Sequence, residues 1–454
     1  MTKLLVLSHT TGYQLRAFND AADALGVELV FATDRCHRLD DPWQDRAVAV
    51  RFHDIEHSVQ AIVRRARDLP IEGLIAVGDR PVVLAAHAAE ALGIRWHAVA
   101  GAVASTDKRR SRAALAAAGL PSPRFAIRNI NDSGSKIEDS GFRIEDQGFR
   151  IEDQGFRIED QGSGIQDPGL EFPVVLKPLG LSGSRGVIRA NDTREFAAAR
   201  ARIAALLARP QIRAARTGLE DQILVEEYID GREFAVEGVL TGGHLQTLAI
   251  FDKPDPLDGP FFEETIYVTP SREPAAIQAG LAEHVARAAQ ALALYQGPIH
   301  AECRITQAGK IYVLEVAARP IGGLCSRVLS FVNGADGSRE SLESVLIRHA
   351  LGQSIDHYTR EPQAAAVMMI PIPRRGVYKG VSGEDRAHGV PGITEIRVTA
   401  KTDQLLEPLP EAGSYLGFIF ARAPRASDAE MAVRKAFGHL RFEIARELPV
   451  SSHQ

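Results

Sequence analysis

The sequence predicts an α/β protein of several domains. Its 454 residues allow two to four domains of ordinary size. In the first hundred residues, short apolar runs at 3–7, 28–31 and 73–77 alternate with helical patterns at 13–25 and 81–92. Strands that alternate with helices are typical of βαβ units and a parallel sheet. Beyond the first 170 residues the chain becomes rich in strand patterns.

The overall composition argues against several classes of protein. The chain has 53 basic and 58 acidic residues, so a broad electrostatic grip on nucleic acid or an anionic membrane surface is not expected. No apolar run approaches the ~20 residues of a membrane span, and no secretory signal is recognised. Cys36, Cys303 and Cys325 are far apart and provide neither a disulfide framework nor a CxxC metal site. A cytoplasmic protein is therefore expected.

A heptapeptide repeat interrupts the chain. The motif Ile-Glu-Asp-Gln-Gly-Phe-Arg recurs with small changes over residues 137–169. A coiled coil is not expected, because the second apolar residue lies five positions after the first and every period contains a glycine. The repeat is either a binding array or weak β-solenoid, or a tandem expansion inside a surface loop. We prefer the loop expansion, because stacked repeats normally span 20 or more residues.

Two glutamates are expected to face each other on a hairpin. The alternating segments 299–305 and 311–316 flank Ala308 and Gly309, and a two-residue loop at that point would place Glu302 opposite Glu315. Like charges at this spacing are destabilising unless a cation lies between them. Oxygen ligands without His or Cys partners suit Mg²⁺ or Mn²⁺. The alternative is two solvent-exposed glutamates.

An arginine and two glycines follow this hairpin. Arg319 comes four residues after Glu315, and an arginine beside paired metal-binding carboxylates suits a phosphoryl group in transfer. Gly322 and Gly323 allow backbone N–H groups to approach an anion closely. We therefore treat Arg319, Gly322 and Gly323 as candidate catalytic residues.

A glycine- and serine-rich turn is the second phosphate-binding candidate. The apolar run 174–176 ends at Lys177, and the turn at 180–186 leads into another strand pattern. It is not a Walker A loop, which requires GxxxxGK[ST] before a helix. A flap of this kind can nevertheless surround phosphates with backbone N–H groups while Lys177 supplies a positive charge.

A further hairpin is expected around Asp230 and Gly231. The apolar runs 223–228 and 234–240 flank this pair, and Glu233 is placed to accept hydrogen bonds from ribose hydroxyls. The alternative is an ordinary hairpin with exposed glutamates. Near the C-terminus, a closing helix is expected from Ser427, with Glu430 completing a capping box, to about Ala445.

In this order, the motifs resemble those of the ATP-grasp carboxylate–amine ligases, most closely the L-amino-acid (dipeptide) ligase branch. The resemblance covers nearly the whole chain apart from the repeat. It implies an ATP-grasp fold with a parallel-sheet N-terminal domain, a small α+β lid, a large α+β core and a C-terminal ligase-type α+β segment. The corresponding ranges are 1–103, 104–229 with the insert 137–169, 230–360 and 361–454.

The resemblance also implies roles for individual residues. Lys108 and Lys177 correspond to contacts of the ATP phosphates. The flap loop corresponds to Ser182, Gly183, Ser184 and Gly186, and the adenine-binding hinge corresponds to Glu226, Glu227, Tyr228 and Ile229. The ribose contact corresponds to Glu233, and the metal ligands correspond to Glu302 and Glu315. Arg319 resembles the arginine that steadies the transferring phosphoryl group. Many relatives have an additional metal-binding Asn where this chain has Ala317, and the dipeptide-ligase branch lacks it too.

The implied enzyme uses ATP and Mg²⁺ or Mn²⁺, with two ions, to join a carboxylate to an amine through an acyl phosphate. Small carboxylate and amine substrates, in particular amino acids, are expected as partners, and a homodimer is common among relatives. His300, together with Asp252-Lys253-Pro254 and Glu263-Glu264, is placed near the substrates, although a structural role suits His300 better. The alternatives are another ATP-grasp enzyme, of the carboxylase or purine-synthesis type, and a catalytically inactive nucleotide-binding module.

Overall fold

The computed structural model describes residues 2–9, 13–34, 47–131 and 170–446. The predicted heptad insert and Cys36 lie outside these ranges. Within them, no helix combines the length and apolar composition that a bilayer crossing requires.

The N-terminal domain contains the predicted parallel sheet, in the order β3-β2-β1-β4. Its elements are β1 (Lys3–Ser8), α1 (Tyr13–Leu25), β2 (Glu28–Thr33), β3 (Ala47–Ala49), α2 (Ile55–Asp68), β4 (Gly73–Val77) and α3 (Val82–Leu92), followed by α4 (Val99–Thr106) and α5 (Lys108–Ala117). The continuous apolar runs of β1 and β4 are buried because helices cover both faces of the sheet.

The lid is a four-stranded antiparallel sheet in the order β5-β8-β6-β7. Its elements are β5 (Phe125–Asn129), β6 (Val174–Pro178), β7 (Ile188–Ala190), α6 (Thr193–Leu207), α7 (Pro210–Arg213) and β8 (Gln222–Glu227). Leu176, Ile203 and Ile223 are fully buried between α6 and the sheet, so the lid has a core of its own.

The central region is built on an eight-stranded sheet in the order β13-β12-β9-β10-β11-β17-β21-β19. The first part of this region of the chain contains β9 (Arg232–Thr241), β10 (His244–Lys253), β11 (Ile266–Thr269), α8 (Ala275–Ala291), β12 (Gly297–Ile305), β13 (Ile311–Ala317), a 3₁₀ turn (Cys325–Val328), β14 (Ser330–Asn333), β15 (Arg339–Ser341), α9 (Leu342–Ala350) and β16 (Tyr358–Arg360). One apolar cluster includes Leu5 and Leu74 of the N-terminal sheet and Val236 and Ile299 of the central sheet, so the two regions share a core.

The C-terminal segment extends this sheet. Its elements are β17 (Ala364–Ile370), β18 (Gly376–Ser382), α10 (Glu384–His388), β19 (Ile393–Val398), β20 (Leu405–Leu406), β21 (Gly417–Ala423), α11 (Ala426–His439) and β22 (Arg441–Ala445). Strands β17, β21 and β19 continue from β11, while β20, β18 and β22 form a small separate sheet.

Three sequence-based predictions of local structure are wrong. The runs on either side of Asp230-Gly231 do not form a hairpin, because β8 pairs in the lid sheet and β9 pairs with β10 and β12 in the central sheet. At Gly231 the φ angle is +110°, and the chain passes so close to Ile305 that a Cβ would lie 2.2 Å from its carbonyl oxygen. The predicted turn is therefore the crossing from lid to core.

The closing helix is shorter than predicted. It ends at His439, and the following residues pair with β18 as strand β22. Their burial alternates along the strand, with Phe442 and Ile444 turned inward, which matches a period of two rather than a helix. The capping box is also wrong, since the side chain of Glu430 binds Arg272 and Arg434 instead.

Candidate active site

A cavity of about 330 Å³ lies between the lid sheet, the central sheet and the C-terminal segment. The structure brings fifteen of the sixteen predicted site residues to its walls: Lys108, Lys177, Ser182, Gly183, Ser184, Glu226, Glu227, Tyr228, Ile229, Glu233, Glu302, Glu315, Arg319, Gly322 and Gly323. The C-terminal segment adds Met369, Thr399, Tyr415 and Phe418, so all three regions enclose one space.

The sixteenth predicted residue, Gly186, lies outside the cavity wall. It is buried at φ +72°, and a Cβ there would meet Pro178 Cγ at 2.5 Å. Its N–H donates to the Pro410 carbonyl at 2.8 Å. Gly186 therefore ends the flap loop and attaches it to the C-terminal segment, while Gly183 and Ser184, both also in the left-handed region, face the cavity.

The predicted pairing of Glu302 with Glu315 is confirmed, although the turn differs from the expected one. The loop is one residue longer, since Thr306 N–H donates to the Lys310 carbonyl and Ile305 pairs with Ile311. A register shift between Glu302 and Cys303 then restores the expected pairing. This bulge leaves Leu314 and Glu315 adjacent on the cavity wall, because a bulge places two residues opposite one.

Lys253 occupies the centre of a carboxylate cluster behind the cavity. Its Nζ lies 2.8 Å from Glu233 Oε1 and 3.4 Å from Glu302 Oε1, and it also binds Glu264. One oxygen of each of these glutamates lies within 4.8 Å of the others. Burial, partly offset by the charge of Lys253 and reinforced by Glu264 and Glu233, raises the pKa of Glu302 to about 7.

The carboxylates that face the cavity fit a hard divalent cation. Oxygen donors are the ligands that Mg²⁺ prefers, and Mg²⁺ commonly uses one or two carboxylates together with substrate phosphates. Lys253 binds Glu233 and Glu264 more closely than Glu302, and Glu302 and Glu315 face each other on the cavity wall as one pair of candidate donors.

Glu233 connects the hinge to the central sheet through Arg304. Arg304 Nε donates to Glu233 Oε2 at 2.8 Å, and its other nitrogens donate to the carbonyls of Ile229 and Leu257. Although burial raises the pKa of Glu233, the charges of Lys253 and Arg304 outweigh it and lower that pKa to about 2. The carbonyl of Ile229 is therefore held by a buried arginine whose three nitrogens all donate hydrogen bonds.

Glu226 holds the phosphate-binding candidate Lys177 in place. Its carboxylate is 2% exposed and binds both Lys177 Nζ and Arg112 Nε, the latter at 2.9 Å. Burial raises the pKa of Glu226, but the charges of Arg112 and Lys177 outweigh it and lower the pKa to about 2. Arg112 also donates to the carbonyl of the bulged Leu314 at 2.6 Å, so it links Glu226 of the lid to the β12–β13 hairpin.

Arg319 is anchored by the N-terminal domain. Its Nε donates to Asp79 Oδ1 at 2.8 Å, just after the carboxyl end of β4. Burial raises the pKa of Asp79, but the charge and hydrogen bond of Arg319 outweigh it, so the pKa is below its ordinary value. The candidate phosphoryl-binding arginine therefore depends on a residue about 240 positions earlier in the chain.

His300 belongs to a buried hydrogen-bonded chain. Its Nδ1 lies 3.1 Å from Glu237 Oε2, and the Ile321 N–H donates to Glu237 Oε1 at 3.1 Å. Burial raises the pKa of Glu237 and lowers that of His300. This chain fixes the backbone immediately before Gly322 and Gly323.

Sequence reasoning missed Asp79, Arg112, Glu237 and Arg304. The last two had a usable signal, because Glu237 and Glu233, like Arg304 and Glu302, are spaced by an even number on one strand and so share a face. Of the residues expected near the substrates, Glu264 lines the cavity, whereas Asp252 binds Ser271 and Arg272 away from it.

Three family models match successive parts of the chain. They are the ATP-grasp N-terminal domain at residues 19–94, the ATP-grasp domain at 170–328 and the L-amino acid ligase C-terminal domain 2 at 368–445. The chain therefore consists largely of ATP-grasp domains. Its C-terminal segment is similar to the C-terminal domain 2 of L-amino acid ligases.

The chain also resembles solved structures over nearly its whole length. It is similar to an L-amino acid ligase from Bacillus licheniformis, with 22% identity, coverage of 98% of this chain and 99% of that one, and a TM-score of 0.76. It is also similar to carboxyaminoimidazole ribonucleotide synthase from Aspergillus clavatus, solved with ATP, at 16% identity, coverage of 96% and 97%, and a TM-score of 0.64.

A curated relative shares sequence over part of its length. It is the uncharacterized protein y4rH of Sinorhizobium fredii, 26% identical over 276 residues, which are 60% of this chain. The match spans about half (53%) of that relative's length.

Proposed function

We propose that this ATP-grasp enzyme is an ADP-forming carboxylate–amine ligase that makes an amide bond of the dipeptide type. The observation that carries the proposal is the shared cavity. Lys108 and Lys177, core carboxylates with Arg319, and residues of the L-amino acid ligase-type segment all line it. Phosphoryl transfer needs the first two sets, and the third encloses the space where an acyl acceptor would lie.

In this proposal ATP lies between the lid and the core. Lys108 and Lys177 bind its phosphates, together with backbone N–H groups of Ser182, Gly183 and Ser184. The hinge at residues 226–229 binds the adenine, and Glu233 binds the ribose. The A. clavatus relative supports ATP as the nucleotide, since its structure was solved with ATP.

Glu302 and Glu315 would hold the Mg²⁺ ions that accompany ATP. When bound, Mg²⁺ neutralises phosphate charge during transfer. Ala317 contributes no side-chain ligand, so the protein offers only these two cavity-facing carboxylates from the β12–β13 hairpin.

The proposed reaction has two steps. A substrate carboxylate oxygen attacks the γ-phosphorus of ATP. The bond between the γ-phosphorus and the bridging β-phosphate oxygen breaks, so that ADP departs and an acyl phosphate forms. An amine then attacks the acyl carbon, loses a proton and expels inorganic phosphate. Arg319 and the N–H groups at Gly322 and Gly323 stabilise the negative charge that develops, and the flap excludes water from the acyl phosphate.

An ADP-release assay over a panel of amino acids tests this function. Release of ADP that depends on two amino acids, with an amide product identified by mass spectrometry, is the expected result. ADP release that depends on bicarbonate would instead identify a carboxylase, and nucleotide binding without turnover would identify an inactive binding module.

Glu315→Gln is expected to abolish substrate-dependent ADP formation and leave the fold intact, because it removes a carboxylate that holds the metal. Glu283→Gln, on the exposed side of α8, is the matched control and should keep wild-type turnover. Turnover of the Glu315 variant near the wild-type rate at saturating Mg²⁺ would show that the metal assignment is wrong.

A further inference from the structure

The loop between β20 and β21 contacts the lid on one side and the cavity on the other. We name residues 407–415 of this loop the latch segment. Its inner residues Gly413, Ser414 and Tyr415 line the cavity. Its outer residues include Glu407 and Glu411, which face the lid. Pro408 and Pro410 restrict its backbone, so a force on one side is transmitted to the other.

Two arginines of the lid bind the latch segment through paired contacts. Arg202, on α6, donates to Glu411 through both Nε and Nη2, the latter at 2.9 Å. Arg209, just after α6, donates to Glu407 at 2.7 and 3.4 Å. A single exposed ion pair contributes little, but bidentate arginine–carboxylate pairs that act together form a network.

The flap itself is attached to the same segment. The Gly186 N–H donates to the Pro410 carbonyl at 2.8 Å, and Arg185 Nη2 donates to the Glu411 carbonyl at 3.4 Å. A Cβ on Gly413 would lie 3.2 Å from the Gly183 carbonyl oxygen, so the two loops are in close contact. The position of the latch segment therefore determines where the phosphate-binding flap lies.

Charge explains why the segment is acidic. Arg185, Arg202 and Arg209 bring three positive charges to this end of the lid. Burial and the neighbouring charge of Arg209 lower the pKa of Arg185. Without the two glutamates, repulsion among the arginines would favour movement of the lid away from the C-terminal segment.

We infer that Glu407 and Glu411 are positioning residues that hold the ATP flap closed against the acceptor side of the cavity. The inference rests on the proposed ligase function and adds to it a coupling between the lid and the C-terminal segment. A closed flap protects the acyl phosphate until the amine attacks. Loss of the latch would then let water compete with the amine, and ADP would form without an equal amount of amide.

The test combines a partition measurement with hydrogen exchange. In the double variant E407Q/E411Q we expect the ratio of amide to ADP to fall by about fivefold or more, as a network of two such pairs allows. Exchange of the amides at 180–187 should become faster. Asp221→Asn removes an exposed ion pair with Arg213 within the lid and is the matched control, which should change neither quantity.

A charge exchange distinguishes latching from a general structural effect. E411R should reproduce the loss, and E411R combined with R202E should recover the ratio and the slow exchange. If E407Q/E411Q does not fold, E411Q alone and the exchanged pair provide the same readouts. A folded variant whose ratio and exchange both match the wild type would overturn the inference. Hydrogen exchange needs no product, so it tests the latch even if the wild type makes no amide.

Discussion

At the scale of single residues, buried glutamates organise the site by holding two cations each. Glu226 holds Lys177 and Arg112, and Glu233 holds Lys253 and Arg304. A buried charge is tolerated only when it is paired, so each glutamate fixes the direction of cationic side chains near the cavity. The positive charges on the cavity wall, Lys177 and Arg304, are thus held by neighbouring buried carboxylates.

Replacing Glu226 with Gln tests this arrangement. The change leaves Arg112 buried without its counter-ion, and we expect a loss of about 3 kcal/mol in the free energy of unfolding, as for other broken buried pairs. Lys177 also loses its anchor, so the KM for ATP should rise. Glu227→Gln, which affects a half-exposed pair with Arg124, is the control and should cost under about 1 kcal/mol. Urea unfolding measures the loss of stability in each variant, and equal losses in the two variants would contradict the assigned role of Glu226.

Two buried histidines predict a pH dependence of stability. Burial lowers the pKa of His97 and of His349 to about 4 in the folded state. The unfolded chain takes up protons at these sites near pH 6.5, so stability is complete above that pH and decreases as the pH falls towards 4. The loss is on the order of 2–3 kcal/mol for each histidine.

Thermal unfolding between pH 4.5 and 7.5 measures this dependence. His349→Gln should reduce its slope, since glutamine can still bind Thr241 and Gln296 but takes up no proton. The exposed His388 is the control, and His388→Gln should leave the slope unchanged. An unaltered slope in the His349 variant would mean that this histidine is not neutral in the folded protein.

At the scale of elements, the joint between lid and core depends on Gly231. The chain leaves β8 in one sheet and enters β9 in another, and it crosses Ile305 at the end of β12 at a distance that excludes a side chain. This close contact explains why the Asp230-Gly231 pair, which resembles a hairpin turn, instead forms the crossing between the two sheets.

Gly231→Ala is therefore expected to destabilise the protein by more than Gly309→Ala. Both glycines have positive φ, but a Cβ at Gly309 meets nothing within 4 Å, whereas one at Gly231 meets backbone. We expect about 1 kcal/mol for Gly309, the cost of the left-handed conformation, and at least about 3 kcal/mol for Gly231, where the clash adds to it. Similar losses in chemical unfolding would show that the joint relaxes without cost.

At the scale of the whole molecule, the parts that local patterns encode were predictable and the long-range pairings were not. Helix α1 and strand β4 match their predicted bounds, because each has a clear period and clear ends. The Glu302–Glu315 pairing was correct only because a bulge offsets the longer turn. The Arg319–Asp79 pair and the closing strand β22 depend on residues distant in sequence, which a single sequence does not reveal.

The described strands on either side of the heptad insert allow a prediction about the whole molecule. Strands β5 and β6 lie on either side of β8 and run parallel, so the end of β5 and the start of β6 lie at opposite ends of β8. Deleting residues 137–164 leaves about 16 residues, 130–136 and 165–173, and a parallel connection needs about a dozen.

We therefore expect the deletion to change the melting temperature by no more than ~2 °C, as for a shortened surface loop. Amide formation should also be unchanged, because Lys177 on β6 and the flap that follows β6 both lie beyond the deleted residues. Deleting residues 170–173 as well is the contrasting variant. It removes Leu170 and Phe172, which pack on the lid core, and should lower the melting temperature. A comparable loss from removing residues 137–164 alone would show that the repeats stabilise the enzyme.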